Sequence, residues 1–449
     1  MRSSLEGLRG NSEVVVIGAG LAGCEAALQL ASRGVRVVLW EMRPLVSSPA
    51  HSTSLFAELV CSNSFKSLDP TSASGSLKTE LGLMGSFLLR IAHEASIPAG
   101  GALAVDRKRF AEIVTETIEG HPSIHVVRDE FREIPGGRSI IATGPLTSES
   151  MANALFELTG TRGLSFYDAA APVLDSLTID TNVAFLQSRY DKGASADYLN
   201  CPMDQEEYEH FIKELVEAKR VIQKDFESRD LFAGCQPVEE IARKGSDSLR
   251  YGPMKPVGLT DPRTGTRPWA VVQLRPENSA RTAFNMVGFQ TNLTFAEQKR
   301  VFSLIPGLKD AEFLRYGVMH RNTFINSPEM LDSTLALRSM PHLRIAGQLN
   351  GTEGYLESIA GGVIAGLNCY CDLRGLPPFV LPPTSALGSL VDYITSPQTV
   401  DFQPMNVNWG LVPALEERVR SKRLRYEAYA ARAKDSVAVS TSQHPLFRG

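Results

Sequence analysis

The feature that most constrains this chain is its glycine turn at residues 18–23. A short apolar strand at residues 13–17, Glu-Val-Val-Val-Ile, runs straight into Gly18-Ala19-Gly20-Leu21-Ala22-Gly23. Residues 24–33 have helix-forming composition and stop at Gly34, which suits the left-handed position after a helix end. A second apolar strand at residues 35–40 then closes on the acid Glu41. Strand, GxGxxG, helix, strand and acid in this order form a dinucleotide clamp, and each part has a physical task. Gly18 permits the tight turn, Gly20 lets the backbone approach a pyrophosphate, and Gly23 lets helix and strand pack closely. The helix N-terminus offers free N–H groups and a partial positive charge to the phosphates. Glu41 would accept hydrogen bonds from a ribose hydroxyl and disfavours a 2′-phosphate, which leaves FAD or NAD.

Two later segments select the flavin. Residues 139–144, Ser-Ile-Ile-Ala-Thr-Gly, read as a strand ending in a small-residue turn that returns the chain to the cofactor at Gly144. Residues 343–354 read as another strand opening a glycine-rich turn through Gly347 and Gly351. A helix-like run over residues 355–367 follows, with Gly361, Gly362 and Gly366. Its small residues serve either close packing against the sheet or approach of the helix N-terminus to the flavin. No second strand-GxGxxG-helix-acid unit is present, so a separate nicotinamide domain is not expected. The fold class expected is α/β: a Rossmann-like FAD-binding domain of the glutathione-reductase-like flavoprotein type, with an inserted α+β domain. The division reads as residues 11–150, an insertion at 151–314, and the FAD domain resuming at 315–435.

The net charge of −4 argues against a uniformly basic nucleic-acid binder but leaves room for a local basic patch. From Arg243 to Arg281, eight Lys/Arg stand against Asp247, Asp261 and Glu277. That excess suits either a solvated face or a surface for a phosphate backbone. The run Arg-Val-Arg-Ser-Lys-Arg-Leu-Arg at 418–425, read as part of a C-terminal helix, is open to the same two readings. The uncharged stretch from Ser358 to Cys371 falls short of the roughly 20 residues that span a bilayer. Arg2, Glu6 and Arg9 interrupt the N-terminus without an apolar core, so no secretory signal is read there. Six scattered cysteines make neither a disulfide framework nor a zinc motif. The expectation is a reduced, cytoplasmic, metal-free protein in which any functional cysteine acts through its thiolate. Residues 47–80, dense in Ser, Thr, Pro, Asn and Gly, read as a long functional loop that carries Cys61.

Several longer motifs narrow the reading. They include Glu-Met-Arg-Pro at 41–44, Leu-Val-Cys-Ser-Asn-Ser-Phe at 59–65 and Pro-Ala-Gly-Gly-Ala-Leu-Ala-Val-Asp-Arg at 98–107. Further on come Gly-Pro-Met-Lys-Pro-Val-Gly-Leu at 252–259, Gly-Thr-Glu-Gly-Tyr-Leu-Glu-Ser at 351–358 and Asn-Trp-Gly-Leu-Val-Pro at 408–413. In these, and in their order from about Val14 to Tyr429, the chain resembles the bacterial folate- and FAD-dependent tRNA (uracil-5-) methyltransferases, the TrmFO family. It is less similar to the related flavoproteins of wobble-uridine carboxymethylaminomethyl modification, which carry a long helical C-terminal domain. Here little follows Pro413 beyond one basic helix.

The resemblance implies a reaction. Methylenetetrahydrofolate supplies a carbon, reduced FAD converts it to methyl, and C5 of a uridine in the tRNA T loop receives it, with NADH or NADPH as the source of electrons. The same chemistry on ribosomal RNA would use an unchanged catalytic set. Uracil C5 is a poor nucleophile until a thiolate adds at C6, and its proton must then leave to a base. By resemblance Cys235 is the C6 nucleophile and Cys61, near the flavin, is the base. Gln236 departs from the Met usual after the nucleophile, which bears on the shape of its pocket. Cys201 is read as structural. His320 is the residue expected against the pterin, with His51 as the alternative. The expected FAD contacts are Gly18, Ala19, Gly20, Leu21, Ala22, Gly23, Glu41, Arg43, Gly144, Gly347 and Gly351. The basic 243–281 segment becomes the tRNA surface for the T arm, and a monomer without an obligate protein partner is expected. A free cysteine, of pKa about 8.5, needs a cationic neighbour or a helix N-terminus to become reactive; the sequence does not identify that neighbour.

Overall fold

The strand Glu13–Ile17 is almost wholly aliphatic because it lies inside a six-stranded sheet, covered on both faces. The computed structural model of the chain describes residues 13–48, 50–160, 164–191, 197–221, 236–399 and 402–448. Across this sheet the strands run Ala336–Leu337, Met340–Ile345, Ser139–Ile141, Glu13–Ile17, Arg36–Glu41, Ile124–Arg128. All neighbours are parallel except the short edge strand Ala336–Leu337. The chain first builds outward from Glu13–Ile17 to one side, then crosses to the other at Ser139–Ile141. That reversal opens a crevice at the carboxyl ends of the two strands, the place where such sheets bind ligands.

The helix Leu21–Ala31 is buried along its whole length, between the sheet and the long helix Tyr355–Arg374. Glycines set how closely the two helices approach. A Cβ at Gly362 would lie 2.4 Å from the Ala22 carbonyl oxygen, and one at Gly366 would lie 3.0 Å from Gln29 Cβ. Helix packing therefore accounts for these two small residues. On the opposite face, the helix Glu149–Thr159 packs Met151 and Leu155 with Ile141 and Ile345.

The reading of residues 47–80 as one long loop needs correction. This run contains the strand Ser64–Ser67, paired with Ala102–Val105, and the start of the helix Ala73–Leu83. Its polar residues are caps and turn formers: Ser72 accepts from the Gly75 N–H, and a Cβ at Gly75 would strike the Asp69 carbonyl at 1.8 Å.

A second, wholly antiparallel sheet has the order Phe185–Leu186, Leu199–Met203, Ala270–Pro276, Ala283–Met286, Val173–Asp175, Phe313–Arg315. It has its own apolar core, with Leu174, Phe211, Phe289 and Phe302. Beside it runs the acidic helix Gln205–Glu217, opened by an Asp204–Glu207 capping box. A two-stranded ribbon, Leu164–Ala169 with Met319–Phe324, carries His320 opposite Asp168. The C-terminal helix is Lys422–Gln443, so Arg418 and Arg420 precede it. Trp409 stacks on Tyr429 of that helix at 5.4 Å and donates to the Thr71 carbonyl at 2.9 Å. Among the described residues, no helix is long and apolar enough to cross a membrane.

Candidate active site

The glycine turn behaves as its spacing requires. Gly18 has φ +95°, and a Cβ there would meet the Ala142 carbonyl oxygen at 2.6 Å. A Cβ at Gly23 would lie 1.8 Å from the Gly18 carbonyl oxygen. At Gly20 a Cβ would meet nothing within 4 Å, because Gly20 faces the open cleft. The helix Leu21–Ala31 begins at Gly20 with no side-chain cap on its first N–H groups. A bare helix N-terminus behind an uncluttered glycine is the cradle a pyrophosphate fits. These residues suit a dinucleotide cofactor.

Glu41 is more heavily engaged than its sequence position suggests. Its Oε2 accepts the Ala19 N–H at 3.0 Å, and its Oε1 accepts both the Arg43 backbone N–H (3.1 Å) and Arg43 Nε (2.8 Å). Burial works against its charge, but the Arg43 hydrogen bond and charge outweigh it and hold the carboxyl below the usual range. Arg43 in turn reaches Glu58 at 3.2 Å. The structure gathers Gly18, Gly20, Leu21, Ala22, Glu41, Arg43, Gly144 and Gly347 around one cleft, while Ala19 and Gly23 stand behind its wall. Gly351 does not line the cleft. A Cβ there would strike the Phe402 ring at 2.3 Å, so its glycine answers to packing. Trp40, Phe131 and Thr147 also line the cleft, and the sequence reading passed over all three. His51 is at the cleft as well, hydrogen-bonded to Ser48 Oγ.

Cys61 sits beside this cleft, in a loop whose peptide groups are held from distant parts of the chain. Its N–H and that of Ser62 donate to Tyr355 Oη, at 2.7 and 3.1 Å. Arg107 donates to the carbonyls of Leu59 (2.8 Å) and Cys61 (3.3 Å), and Arg315 to that of Val60 (3.2 Å). Asn63 Nδ2 bridges the Val105 and Pro276 carbonyls, each at 3.0 Å, and so ties the loop to the second sheet. Tyr355 and Val60 both line the cleft. Arg107 is paired with Glu277 at 3.0 Å. Burial lowers the pKa values of Arg275 and Arg315 and raises that of Tyr355. Arg107, Arg275 and Arg315 are the cationic neighbours that the sequence left unnamed. Arg107 and Tyr355 stand inside motifs already visible in the sequence, but nothing local there points to Cys61.

Among the described cysteines, Cys61 alone is half-buried; Cys24, Cys201, Cys369 and Cys371 are buried. Burial pushes the Cys201 thiol up to about 12 and those of Cys369 and Cys371 to about 11, which leaves them inert. Cys235 lies outside the described residues, but the segment that follows it is firmly anchored. Glu239 is fully buried and accepts Thr291 Oγ1 at 2.9 Å and the Asn292 N–H at 2.7 Å. Gln236 accepts from Lys244 Nζ. The strand carrying His320 bonds to the cleft wall, where the Thr323 N–H donates to the Pro145 carbonyl at 2.9 Å.

The basic 243–281 run is not one surface. Arg275 is buried, Arg263 clamps Asp261, and Arg250 lies over the Trp269 ring at 3.6 Å. Arg243, Lys244, Lys255 and Arg267 are exposed, as is the paired Arg263. Among the described residues, no group of three or more His, Cys, Asp or Glu could hold a metal ion.

Comparison with known proteins gives the family. Over 424 residues the chain is 53% identical to the methylenetetrahydrofolate--tRNA-(uracil-5-)-methyltransferase TrmFO of Bacillus cereus, covering 94% of this chain and 98% of that protein. The TrmFO of Bacillus anthracis matches at the same identity and coverage. The crystal structure of Aquifex aeolicus GidA (form II) superposes with a TM-score of 0.69 at 17% identity, covering 95% of this chain and 73% of that one, which speaks to the fold. Residues 13–377 match the family described as Glucose inhibited division protein A. By the match over these residues and the identity along nearly its whole length, the chain belongs to the GidA family, among its TrmFO members.

Proposed function

We propose that this chain is a folate- and FAD-dependent tRNA (uracil-5-) methyltransferase that forms 5-methyluridine in the T loop. The observation that carries this reading is the 53% identity with TrmFO proteins over 94% of the chain. The half-buried Cys61 beside a cleft fit for a dinucleotide supports it. Bound in that cleft, FAD in its reduced form would supply the electrons that turn a folate-borne methylene into a methyl group.

The chain's own residues would do the rest. The helix N-terminus behind Gly20 and the Glu41–Arg43 pair would hold the dinucleotide. Cys235 would attack uracil C6: its electron pair forms the S–C6 bond, and the C5=C6 pair moves into an enolate. After C5 of that enolate bonds to the methylene carbon, Cys61 would take the C5 proton and the folate nitrogen would leave with its bonding pair; two electrons and a proton then turn the exocyclic methylene into methyl as the C5=C6 bond re-forms and expels the Cys235 thiolate. Tyr355, Arg107 and Arg315, which hold the peptide groups around Cys61, would fix that base against the reacting carbon. His320 would pack against the pterin, supported by the hydrogen bond that ties its strand to Pro145 in the cleft wall. NADH or NADPH would restore the reduced cofactor. The proposed division is a FAD domain of residues 11–150 and 315–435 interrupted by 151–314, acting as a cytoplasmic monomer.

The test is carbon transfer from labelled methylenetetrahydrofolate, with NADPH, to an unmodified tRNA transcript and to a T-loop uridine mutant. Label in the first and not the second is the expected result. Label in neither, from a folded yellow protein, would sink the reading.

A further inference from the structure

A row of hydrogen-bond donors without acceptors crosses the second sheet. Arg275 pairs in register with Asn285, Asn285 with Val173, and Val173 with Arg315. Residues directly opposite one another on neighbouring strands share a face of the sheet. The three polar side chains therefore line up across four adjacent strands. Arg275 Nε, Asn285 Nδ2, and both Nε and Nη2 of Arg315 are shut off from solvent and find no hydrogen-bond partner among the described residues. Arg275 is only 7% exposed and Asn285 3%.

This face is turned toward the cysteine loop. Arg315 Nη1 reaches the Val60 carbonyl, next to Cys61, and Asn63 Nδ2 of the same loop donates to the carbonyl of Pro276, next to Arg275. Glu277, the nearby carboxylate, is already paired with Arg107. Among the described residues, three guanidinium groups thus share one acid. A buried cation without an anion is costly, and orphaned donors of this kind are rare in a finished fold. Each orphaned atom in the row is a donor, so the missing partner must supply acceptors, and an anion would also offset the buried charge. A pterin edge, which presents donors as well as acceptors, matches the row poorly.

We propose that Arg275, Asn285 and Arg315 form an oxyanion subsite for the target nucleotide of the RNA. The anion is either the phosphate beside the extruded uridine or the uracil oxygen that gains charge when a thiolate adds at C6. This rests on the function proposed above and extends it by naming the groups that meet the substrate's negative charge.

The test uses the FAD-loaded full chain carrying Arg275→Gln and, separately, Asn285→Asp. Removing an uncompensated buried charge, or neutralising it with a new carboxylate, should leave the Tm without RNA unchanged or raised. A merely structural role would lower it in both variants. With saturating folate and an unmodified tRNA transcript, the phosphate source predicts an RNA Kd raised about tenfold or more with kcat kept. The uracil source predicts kcat and the rate of 5-fluorouridine adduct formation lowered about tenfold or more with Kd kept. Either result supports the subsite and identifies its anion. A lowered Tm in both variants, unchanged kinetics, or a change confined to the folate KM overturns it. Wild-type protein assayed in parallel separates the two claims. If it transfers no carbon the functional reading fails, while the RNA Kd and the Tm still report on the subsite.

Discussion

The hydroxyl oxygen of Tyr355 accepts hydrogen bonds from two consecutive backbone N–H groups, those of Cys61 at 2.7 Å and Ser62 at 3.1 Å, across nearly 300 residues of chain. Tyr355 is also the first residue of the helix Tyr355–Arg374 and lines the cleft, so one side chain joins the cofactor wall to the cysteine loop. Tyr355→Phe keeps the ring and deletes the acceptor, leaving two part-buried N–H groups unpaired at about 1–3 kcal/mol each. Carbon transfer should fall by one to two orders of magnitude, while flavin content and absorbance stay near wild type. Full activity in the variant would mean that the loop holds its shape without the tyrosine.

Two glycines of the clamp should fail in different ways. Alanine at Gly23 would put a Cβ 1.8 Å from the Gly18 carbonyl, so Gly23→Ala should lower the Tm even in flavin-free protein. Alanine at Gly20 meets no protein atom within 4 Å and stands on the cleft proposed for the pyrophosphate. Gly20→Ala should therefore fold normally without flavin yet bind FAD at least about tenfold more weakly, the cost of a methyl in a fitted site. Thermal melts of both apoproteins with a flavin titration distinguish the cases. Equal flavin affinity in Gly20→Ala and wild type would place the pyrophosphate elsewhere.

The clamp was legible because its parts are contiguous: strand, turn, helix and acid lie within residues 13–41, and short-range sterics dictate their types. The helix read at 355–367 was legible for the same reason, although it runs on to Arg374. The environment of Cys61 was not. Arg107, Arg315 and Tyr355 are 46, 254 and 294 residues from it in sequence and meet it only in the folded chain. Arg275 was misread as part of a basic surface because charge counting ignores burial; it stands on Ala270–Pro276, a strand buried at every position. Gly351 shares its left-handed φ with Gly347, but the neighbour that demands it is Phe402. From the sequence the two glycines look equivalent.

The two proposed cysteines should separate by step. Cys235→Ala should form no covalent complex with 5-fluorouridine tRNA, because no thiolate reaches C6. Cys61→Ala should still bind flavin and RNA and lose turnover by about two to four orders of magnitude, the usual worth of a positioned base. Denaturing gels for the adduct and single-turnover label transfer measure the two steps independently. An adduct in Cys235→Ala would remove the nucleophile assignment.

Glu239 gives the segment after Cys235 a pH dependence whose sign follows from burial. Burial raises its carboxyl to about 7, against the opposing hydrogen bonds from the Asn292 N–H and the Thr291 hydroxyl. Its folded pKa thus exceeds the unfolded value of 4.5. Between these values the folded state binds more protons than the unfolded one, so stability is full below about pH 4.5 and falls as pH rises through about 7. A shift of that size corresponds to about 3 kcal/mol once the group is ionised in both states. Glu80 is raised to about 7 for the same reason and remains in the variant, so it cancels from the comparison. Glu239→Gln carries no charge at any of these pH values and can satisfy only one of the two donors as an acceptor. It should therefore start less stable than wild type at pH 5 and gain on it steadily to pH 8, as wild type alone bears the cost of the buried ion. Thermal melts at pH 5, 6, 7 and 8 read this as a converging or crossing pair of Tm curves. Parallel curves would mean that Glu239 titrates near its unfolded value, and that its two hydrogen bonds outweigh its burial.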